Sequence, residues 1–168
     1  MESVNTTSIS TKTEANIGLQ AEKSTTIVKR LTRLLSDEQV LYTKLRNYHW
    51  NVQGMFFQSL HAFFEEQYTE LFTVTDDIAE RIRSLGHFSI GSLISFLDNA
   101  RLRESNHLNG NAEEMLSNIL NDHEAIIRTL RDDISVTQEL SDEGTTDFLV
   151  GLMRTHEKMA WMVRSHLG

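Results

Sequence analysis

Histidine and carboxylate side chains recur at helical spacing in the first half of the sequence. At about 100° of rotation per helical residue, four potential ligands fall within a stripe roughly 100° wide: His61, Glu65, Asp76 and Glu80. Neutral imidazoles and carboxylates form a site that suits Fe(II), and also zinc, cobalt or manganese. The alternative is a solvated face, the commoner role of acidic residues on a helix. Phe72 lies within the same stripe, and such an aromatic favours a face that a partner covers.

The length of this helix decides how the ligands can meet. At about 1.5 Å of rise per residue, His61 and Asp76 lie roughly 22 Å apart along one helix, so one ion cannot contact both within a chain. Two copies packed antiparallel about a two-fold axis near residues 69–71 would bring His61 and Glu65 of one chain opposite Asp76 and Glu80 of the other. The spacing therefore predicts two equivalent sites, each shared between subunits.

Two residues just before this helix are further candidates. His49 ends the preceding predicted helix and could join His61 at the same metal. The alternative is a terminal histidine that interacts with the helix dipole, and spacing alone leaves both interpretations open. Trp50 is by default a core or interface aromatic, and its functional role would be that of an electron donor near the metal.

The other five histidines are weaker ligand candidates. His123 and His156 fall on apolar helix faces and are predicted to be hydrogen-bonded core or interface residues. The remaining three lie in connections or at the terminus and are predicted to contact solvent: His87, His107 and His166.

An acidic cluster precedes the last predicted helix and consists of Asp142, Glu143 and Asp147. The simplest interpretation is an N-cap with acids that the helix dipole favours. In an oligomer with three-fold axes, the same acids could line an entrance for cations.

Long helices are predicted to position all of these residues, because proline is absent and apolar residues recur every three or four positions. The four long helices are predicted at about 22–52, 57–85, 112–140 and 145–167, with a short helix at 90–97 in the long connection. One long crossover is typical of an all-α, ferritin-like four-helix bundle rather than an up-and-down bundle. The Glu-x-x-His pattern occurs once, at 104–107 in that connection, so the usual di-iron motif of core helices is missing.

Composition limits the class of protein. The 168 residues predict one domain, at 21–168, that follows a flexible arm at 1–20. No apolar run approaches the roughly 20 residues that span a bilayer, and no secretory signal is evident, so a cytoplasmic location is expected. The absence of cysteine excludes sulfur-ligated metal sites. A net charge of −8 argues against a body that wraps nucleic acid and favours the attraction of cations.

Over about residues 20–168 the chain resembles the Dps family, the mini-ferritins named for DNA binding in starved cells. The most specific matches are His49-Trp50, Gly54, Phe57, Leu60-His61, Asp76 and Ala79-Glu80-Arg81. The resemblance implies a twelve-subunit shell, built from dimers, that stores iron and limits oxidative stress. It also implies a ferroxidase centre of two irons between two subunits, which uses hydrogen peroxide more readily than oxygen.

The resemblance assigns a role to individual residues. His49, His61 and Glu65 of one chain would bind iron together with Asp76 and Glu80 of its partner, and Glu65 stands where many members have Asp. The remaining assignments are Trp50 as the tryptophan that traps stray oxidising equivalents, Asp142 and Asp147 as acids of the iron-entrance pore, and Glu66 as an aid to mineral nucleation.

The sequence gives little support to DNA binding. The arm contains only Lys12 against Glu2 and Glu14, so it lacks the positive charge that holds phosphates. A nucleoid-associated DNA-protecting protein with secondary iron oxidation is therefore the alternative function. A third hypothesis is an interaction module that uses the second helix only to dimerise.

Overall fold

The computed structural model describes residues 15–106 and 110–168, and their secondary structure consists of helices without a β-strand. The helices are α1 (Ala21–Asn51), α2 (Phe57–Ser84), α3 (Leu93–Asn99), α4 (Ala112–Glu139) and α5 (Glu143–Leu167). The all-α prediction is confirmed, and each long helix begins and ends within one turn of its predicted bounds. Among the described residues, no helix has the length and apolar content needed to cross a membrane.

Side-chain caps set where several helices begin. Ser92 accepts a hydrogen bond from the Ser95 amide at 3.2 Å, so α3 begins later than its apolar pattern predicts. Asn111 caps α4 and Asp142 caps α5 in the same way, each at 3.0 Å. The predicted N-cap at the start of the last helix is therefore confirmed.

The core lies between the long helices, which pack mainly as the pairs α1 with α2 and α4 with α5. The predicted apolar stripes supply it, and among their fully buried members are Leu34, Leu41, Leu71 and Ile78. The apolar spacing of the second predicted helix begins at Phe57 and so predicts this residue in the core. That prediction is wrong, because the Phe57 side chain is 46% exposed. It is the first residue of α2, beyond the end of the core, and its ring packs against His61 with centroids 5.2 Å apart.

The long connection between α2 and α4 is held against α1 by a buried carboxylate. Asp37 accepts hydrogen bonds from the backbone amides of Arg101 at 2.6 Å and Leu102 at 3.0 Å. Its other oxygen accepts from Nε of Arg101 at 2.7 Å. Charge-assisted bonds of this kind are strong, so Asp37 fixes the path of the crossover across the bundle.

A short turn places the end of α1 beside the start of α2. The turn is braced by the chain that leads into α4, because the amide of Gln53 donates to the carbonyl of Gly110 at 3.1 Å. A Cβ at Gly110 would lie 3.1 Å from the carbonyl oxygen of Asn51, and its φ of 70° also favours glycine. The brace holds together the two helix ends that carry His49 and His61.

Candidate metal centre

His49 and His61 form a reciprocal pair where α1 meets α2. Nδ1 of His49 donates to the backbone carbonyl of His61 at 2.7 Å, and Nδ1 of His61 donates to the carbonyl of His49 at 2.8 Å. The two rings stack with their centroids 3.7 Å apart. Each helix end thus orients the imidazole of the other.

These hydrogen bonds set the tautomer of both rings. A carbonyl oxygen can only accept, so Nδ1 of each histidine carries the proton and Nε2 of the neutral ring keeps its lone pair. Metal-binding histidines commonly hold their second nitrogen in this way, which fixes the tautomer and the orientation of the ring. The arrangement favours His49 as a ligand over the helix-dipole interpretation, because its Nδ1 proton goes to α2 rather than to the carbonyls that end α1.

Aromatic side chains and one carboxylate surround this pair. The ring of Tyr68 meets the ring of His49 edge-on, with centroids 5.3 Å apart. Its hydroxyl donates to Oε1 of Glu65 at 3.3 Å, so the candidate ligand Glu65 is tied to the residue that covers His49. Burial, followed by the nearby Glu65 charge, raises the pKa of Tyr68, which keeps the phenol protonated at neutral pH.

The other two predicted ligands lie further along α2. Asp76 and Glu80 are exposed, as is Glu65. Within residues 15–106 and 110–168, no group of three or more histidine and carboxylate side chains is arranged to hold a metal ion. The structure therefore brings His49 and His61 together but leaves Asp76 and Glu80 away from them, as the length of the helix requires.

Large apolar side chains are exposed on α2 and on α3. Phe72, between the two groups of candidate ligands, is 64% exposed. In α3, none of whose residues is buried, Leu93, Ile94 and Leu97 are exposed as well. Isolated soluble chains seldom expose so much apolar surface, so these helices have the character of a protein interface.

Trp50 directly follows His49 near the end of α1. Its side chain is 62% exposed, and the guanidinium of Arg46 sits 4.9 Å from its ring centroid. A cation over an aromatic face is a stabilising contact, so Trp50 is held by α1 itself.

The predicted pore acids differ from each other in their surroundings. Asp142 is buried, and its carboxylate accepts from the amide and hydroxyl of Thr145 and from Nη2 of Arg81 at 3.0 Å. Asp147 is exposed, and Glu66, the predicted nucleation residue, is exposed on α2. Asp142 is thus engaged in capping α5, whereas the other two carboxylates face outward.

The second histidine pair, His123 and His156, is completely buried between α4 and α5. Their Nδ1 atoms lie 3.0 Å apart, and Nε2 of His123 lies 3.2 Å from Oε1 of Gln67. Nε2 of His156 lies 2.9 Å from Oε1 of Glu38. The prediction that these histidines are polar core residues is confirmed.

The sequence did not lead us to predict Glu38 and Gln67 as partners of these histidines, although both are buried at the centre of the bundle. Glu38 could have been found, because it falls between Leu34 and Leu41 on the core stripe of α1. The four polar residues link α1, α2, α4 and α5, and His156 is the close contact of the Glu38 carboxylate.

Two of the predicted solvent histidines contact other side chains. His87 is half-buried, and its Nε2 lies 2.9 Å from the hydroxyl of Ser24, so the prediction of a solvent role is wrong there. His166 is exposed, as predicted, although its ring packs against Phe63 with centroids 4.4 Å apart. His107 lies outside the described residues, as do residues 1–14 of the predicted arm.

Comparisons with known proteins agree over almost the whole chain. Residues 28–168 match the ferritin-like domain family. An uncharacterized low-temperature-induced protein of Nostoc sp. is 44% identical over 153 residues, which cover 90% of this chain and 86% of that protein. DNA protection during starvation protein 2 of Bacillus anthracis is 37% identical, over 84% of this chain and 96% of the relative. The crystal structure of a Dps protein from Vibrio cholerae O1, described as a member of the ferritin-like diiron-carboxylate proteins, superposes with a TM-score of 0.88 at 32% identity, over 96% of this chain and all of that one.

Proposed function

Because this chain belongs to the Dps family of ferritin-like proteins, we propose that it oxidises Fe(II) at sites shared by two subunits and stores the ferric product in a hollow oligomer. The observation that carries the proposal is the reciprocal pair of His49 and His61, which leaves two imidazole lone pairs available side by side. A purely structural histidine pair would have no need to keep both lone pairs free.

Iron is the substrate of this reaction. His49, His61 and Glu65 of one subunit, with Asp76 and Glu80 of the other, provide nitrogen and oxygen donors of the type that Fe(II) accepts. Two ferrous ions give one electron each to hydrogen peroxide, and with two protons the peroxide leaves as two molecules of water. The donor set is not selective for iron, so zinc, cobalt or manganese would bind to the same side chains, without this redox step.

The assembly we propose is a homo-oligomer, a dodecamer built from dimers. The exposed Phe72 and the exposed apolar side chains of α3 supply a surface for the dimer contact. Antiparallel packing of two α2 helices would bring the paired imidazoles opposite the acidic part of the neighbouring helix. The ferric product would then move to an inner wall, where Glu66 would help to nucleate mineral.

Asp147 is the better candidate for the iron entrance, because its carboxylate is exposed. Asp142 remains part of the proposed pore, but Arg81 offsets its charge and Thr145 uses its oxygens. For Trp50 we propose a protective role as an electron donor, exercised from an exposed position at the end of α1.

The ferroxidase proposal is tested by adding Fe(II) anaerobically to the purified protein, followed by peroxide, and recording the ferric absorbance. The parent protein should show a rapid increase that is largely lost in His61→Ala and in Asp76→Ala. His166→Ala is the matched control, since this exposed histidine lies outside the proposed site and should oxidise iron at the parent rate. Equal rates in the parent and in His61→Ala would reject the assignment.

A second candidate function is the binding and protection of DNA, because the Bacillus anthracis relative is named for DNA protection. The acidic net charge and the near absence of basic residues from positions 1–20 oppose it. A gel-shift titration separates the two functions, and retardation that persists at physiological salt would establish DNA binding in addition to iron oxidation.

A further inference from the structure

Tyr68 is the redox-active side chain that contacts the candidate iron ligands most directly. Its ring edge meets the imidazole of His49, and its hydroxyl hydrogen points to the carboxylate of Glu65. Both contacts belong to α2 and the end of α1, so they exist within one subunit before any partner is added. An electron leaving this ring would pass directly to groups that hold the iron.

Trp50 is the residue after His49, and the ring contacts of its side chain are different from those of Tyr68. Its contact is the guanidinium of Arg46 at 4.9 Å, and the same guanidinium lies 5.5 Å from the ring centroid of Tyr42. Tyr42 in turn meets Tyr68 edge-on with centroids 6.1 Å apart. Trp50 follows His49 in the chain, but its side chain reaches the His49 ring only by way of Arg46, Tyr42 and Tyr68. The ring of Tyr68 contacts the ring of His49 itself.

Resting on the proposed ferroxidase function, we propose that Tyr68 supplies one electron when hydrogen peroxide meets a centre that holds a single Fe(II). Such a centre delivers one electron where peroxide needs two, and the usual result of that shortage is a hydroxyl radical. A hydrogen atom from the Tyr68 hydroxyl supplies the missing electron, together with a proton, at the centre itself. Tyr68 is thus a catalytic residue of the half-filled centre.

Atoms and electrons are conserved in this step. Fe(II) gives one electron and becomes Fe(III), the O–H bond of Tyr68 breaks, and its hydrogen atom joins one half of the cleaved O–O bond. The products are Fe(III), one water, one hydroxide and a neutral Tyr68 phenoxyl radical. A second Fe(II) that arrives later returns one electron to the phenoxyl oxygen, which also takes up a proton, so the phenol is restored and a second Fe(III) forms. The sum is the same two-electron reduction of peroxide by two ferrous ions.

The test uses the assembled protein loaded anaerobically with one Fe(II) per centre, mixed with peroxide and frozen for electron paramagnetic resonance. Protein labelled with ring-deuterated tyrosine distinguishes a tyrosyl from a tryptophanyl radical, and the chain has only three tyrosines to assign. We expect a tyrosyl signal in the parent that falls to background in Tyr68→Phe, which keeps the ring against His49 and loses only the hydroxyl. The matched control Tyr42→Phe should keep the tyrosyl signal. A spin trap should report more hydroxyl radical from Tyr68→Phe than from the parent protein or from Tyr42→Phe.

The outcomes separate this inference from the function on which it rests. Ferric product in the parent with a radical on Trp50 and no tyrosyl signal, or with a tyrosyl signal that survives in Tyr68→Phe, overturns the role of Tyr68 and leaves the ferroxidase proposal intact. Failure of the parent to form any ferric product removes the proposed function and this inference together.

Discussion

The two histidine pairs of this chain use the same side chain for opposite purposes. At the corner of α1 and α2, backbone carbonyls occupy one nitrogen of each ring and leave the other available. In the bundle core, His123 uses both of its ring nitrogens and His156 places both of its own against other side chains. The difference teaches that the partner of the second nitrogen, rather than burial alone, decides whether a paired histidine can take a ligand.

The core pair also has a defined proton arrangement. Burial, and then the neighbouring His156, lower the pKa of His123 well below its ordinary value, so this ring is neutral. With the oxygen of Gln67 facing it, His123 donates from Nε2 and accepts at Nδ1 from His156. Nε2 of His156 then faces the Glu38 carboxylate at 2.9 Å, and this contact joins α5 to α1.

Removing His156 should have the largest effect on stability. Among the described residues, neither oxygen of the Glu38 carboxylate has a well-formed hydrogen bond, and His156 is its close contact at 2.9 Å. His156→Ala would leave that buried carboxylate uncompensated, which typically costs about 3–5 kcal/mol of unfolding free energy. Chemical denaturation at one fixed subunit concentration measures the cost, and His61→Ala is the control that should unfold close to the parent. A His156→Ala protein as stable as the parent would remove the distinction between the two pairs.

Removing His49 should affect metal affinity more than stability. Loss of a mere outer partner of a metal ligand weakens binding roughly 10- to 100-fold, so loss of a ligand should weaken it at least as much. Titration with Zn(II) or Co(II), which bind without oxidation, compares His49→Ala with His87→Ala, a half-buried histidine elsewhere in the chain. Unchanged affinity in His49→Ala would return this residue to the helix-dipole interpretation.

The smallest expected effect is a dependence of stability on pH that comes from His123. Its folded pKa lies below the ordinary value of 6.5, so below about pH 6.5 the unfolded chain binds a proton that the folded chain does not. Stability from this group is complete above pH 6.5 and falls as the pH drops, by at most about 1.4 kcal/mol per pH unit. The difference between the denaturation midpoints at pH 7.5 and pH 5.5 should be smaller in His123→Gln than in the parent. The same slope in both proteins would assign the acid sensitivity to other groups.

The fold was largely predictable because its determinants are local. The lack of proline and the apolar spacing around residues such as Leu34, Leu71 and Leu149 define helices whatever their neighbours are. The later start of α3 depends on the Ser92 cap, which competes with an apolar pattern that begins at Ile90. Phe57 matched the spacing of the core stripe, but whether the core reaches the first residue of a helix is a property of the packed bundle.

Residue types and spacing named the candidate ligands, but they did not predict the contacts that hold the histidine pair. Distances along α2 were enough to predict that His61 and Asp76 need two chains. The reciprocal bonds of His49 and His61 use backbone carbonyls at two helix ends, which no spacing rule reveals. Glu38 was not predicted as a core residue, because a carboxylate is expected on the surface unless a buried partner such as His156 is already known.

The most direct test of the shared site is complementation between two inactive variants. His61→Ala and Asp76→Ala chains carrying different tags are expressed together, and ferric absorbance is measured on the mixed oligomer. In a mixed dimer with two-fold symmetry, one site loses both residues and the other is intact, so random pairing should restore about one quarter of the parent activity. The matched control pairs His61→Ala with His49→Ala, which lie on the same side of the site and should restore none. Absence of recovery in the first mixture, with mixed dimers confirmed through their tags, would contradict a site built from two subunits.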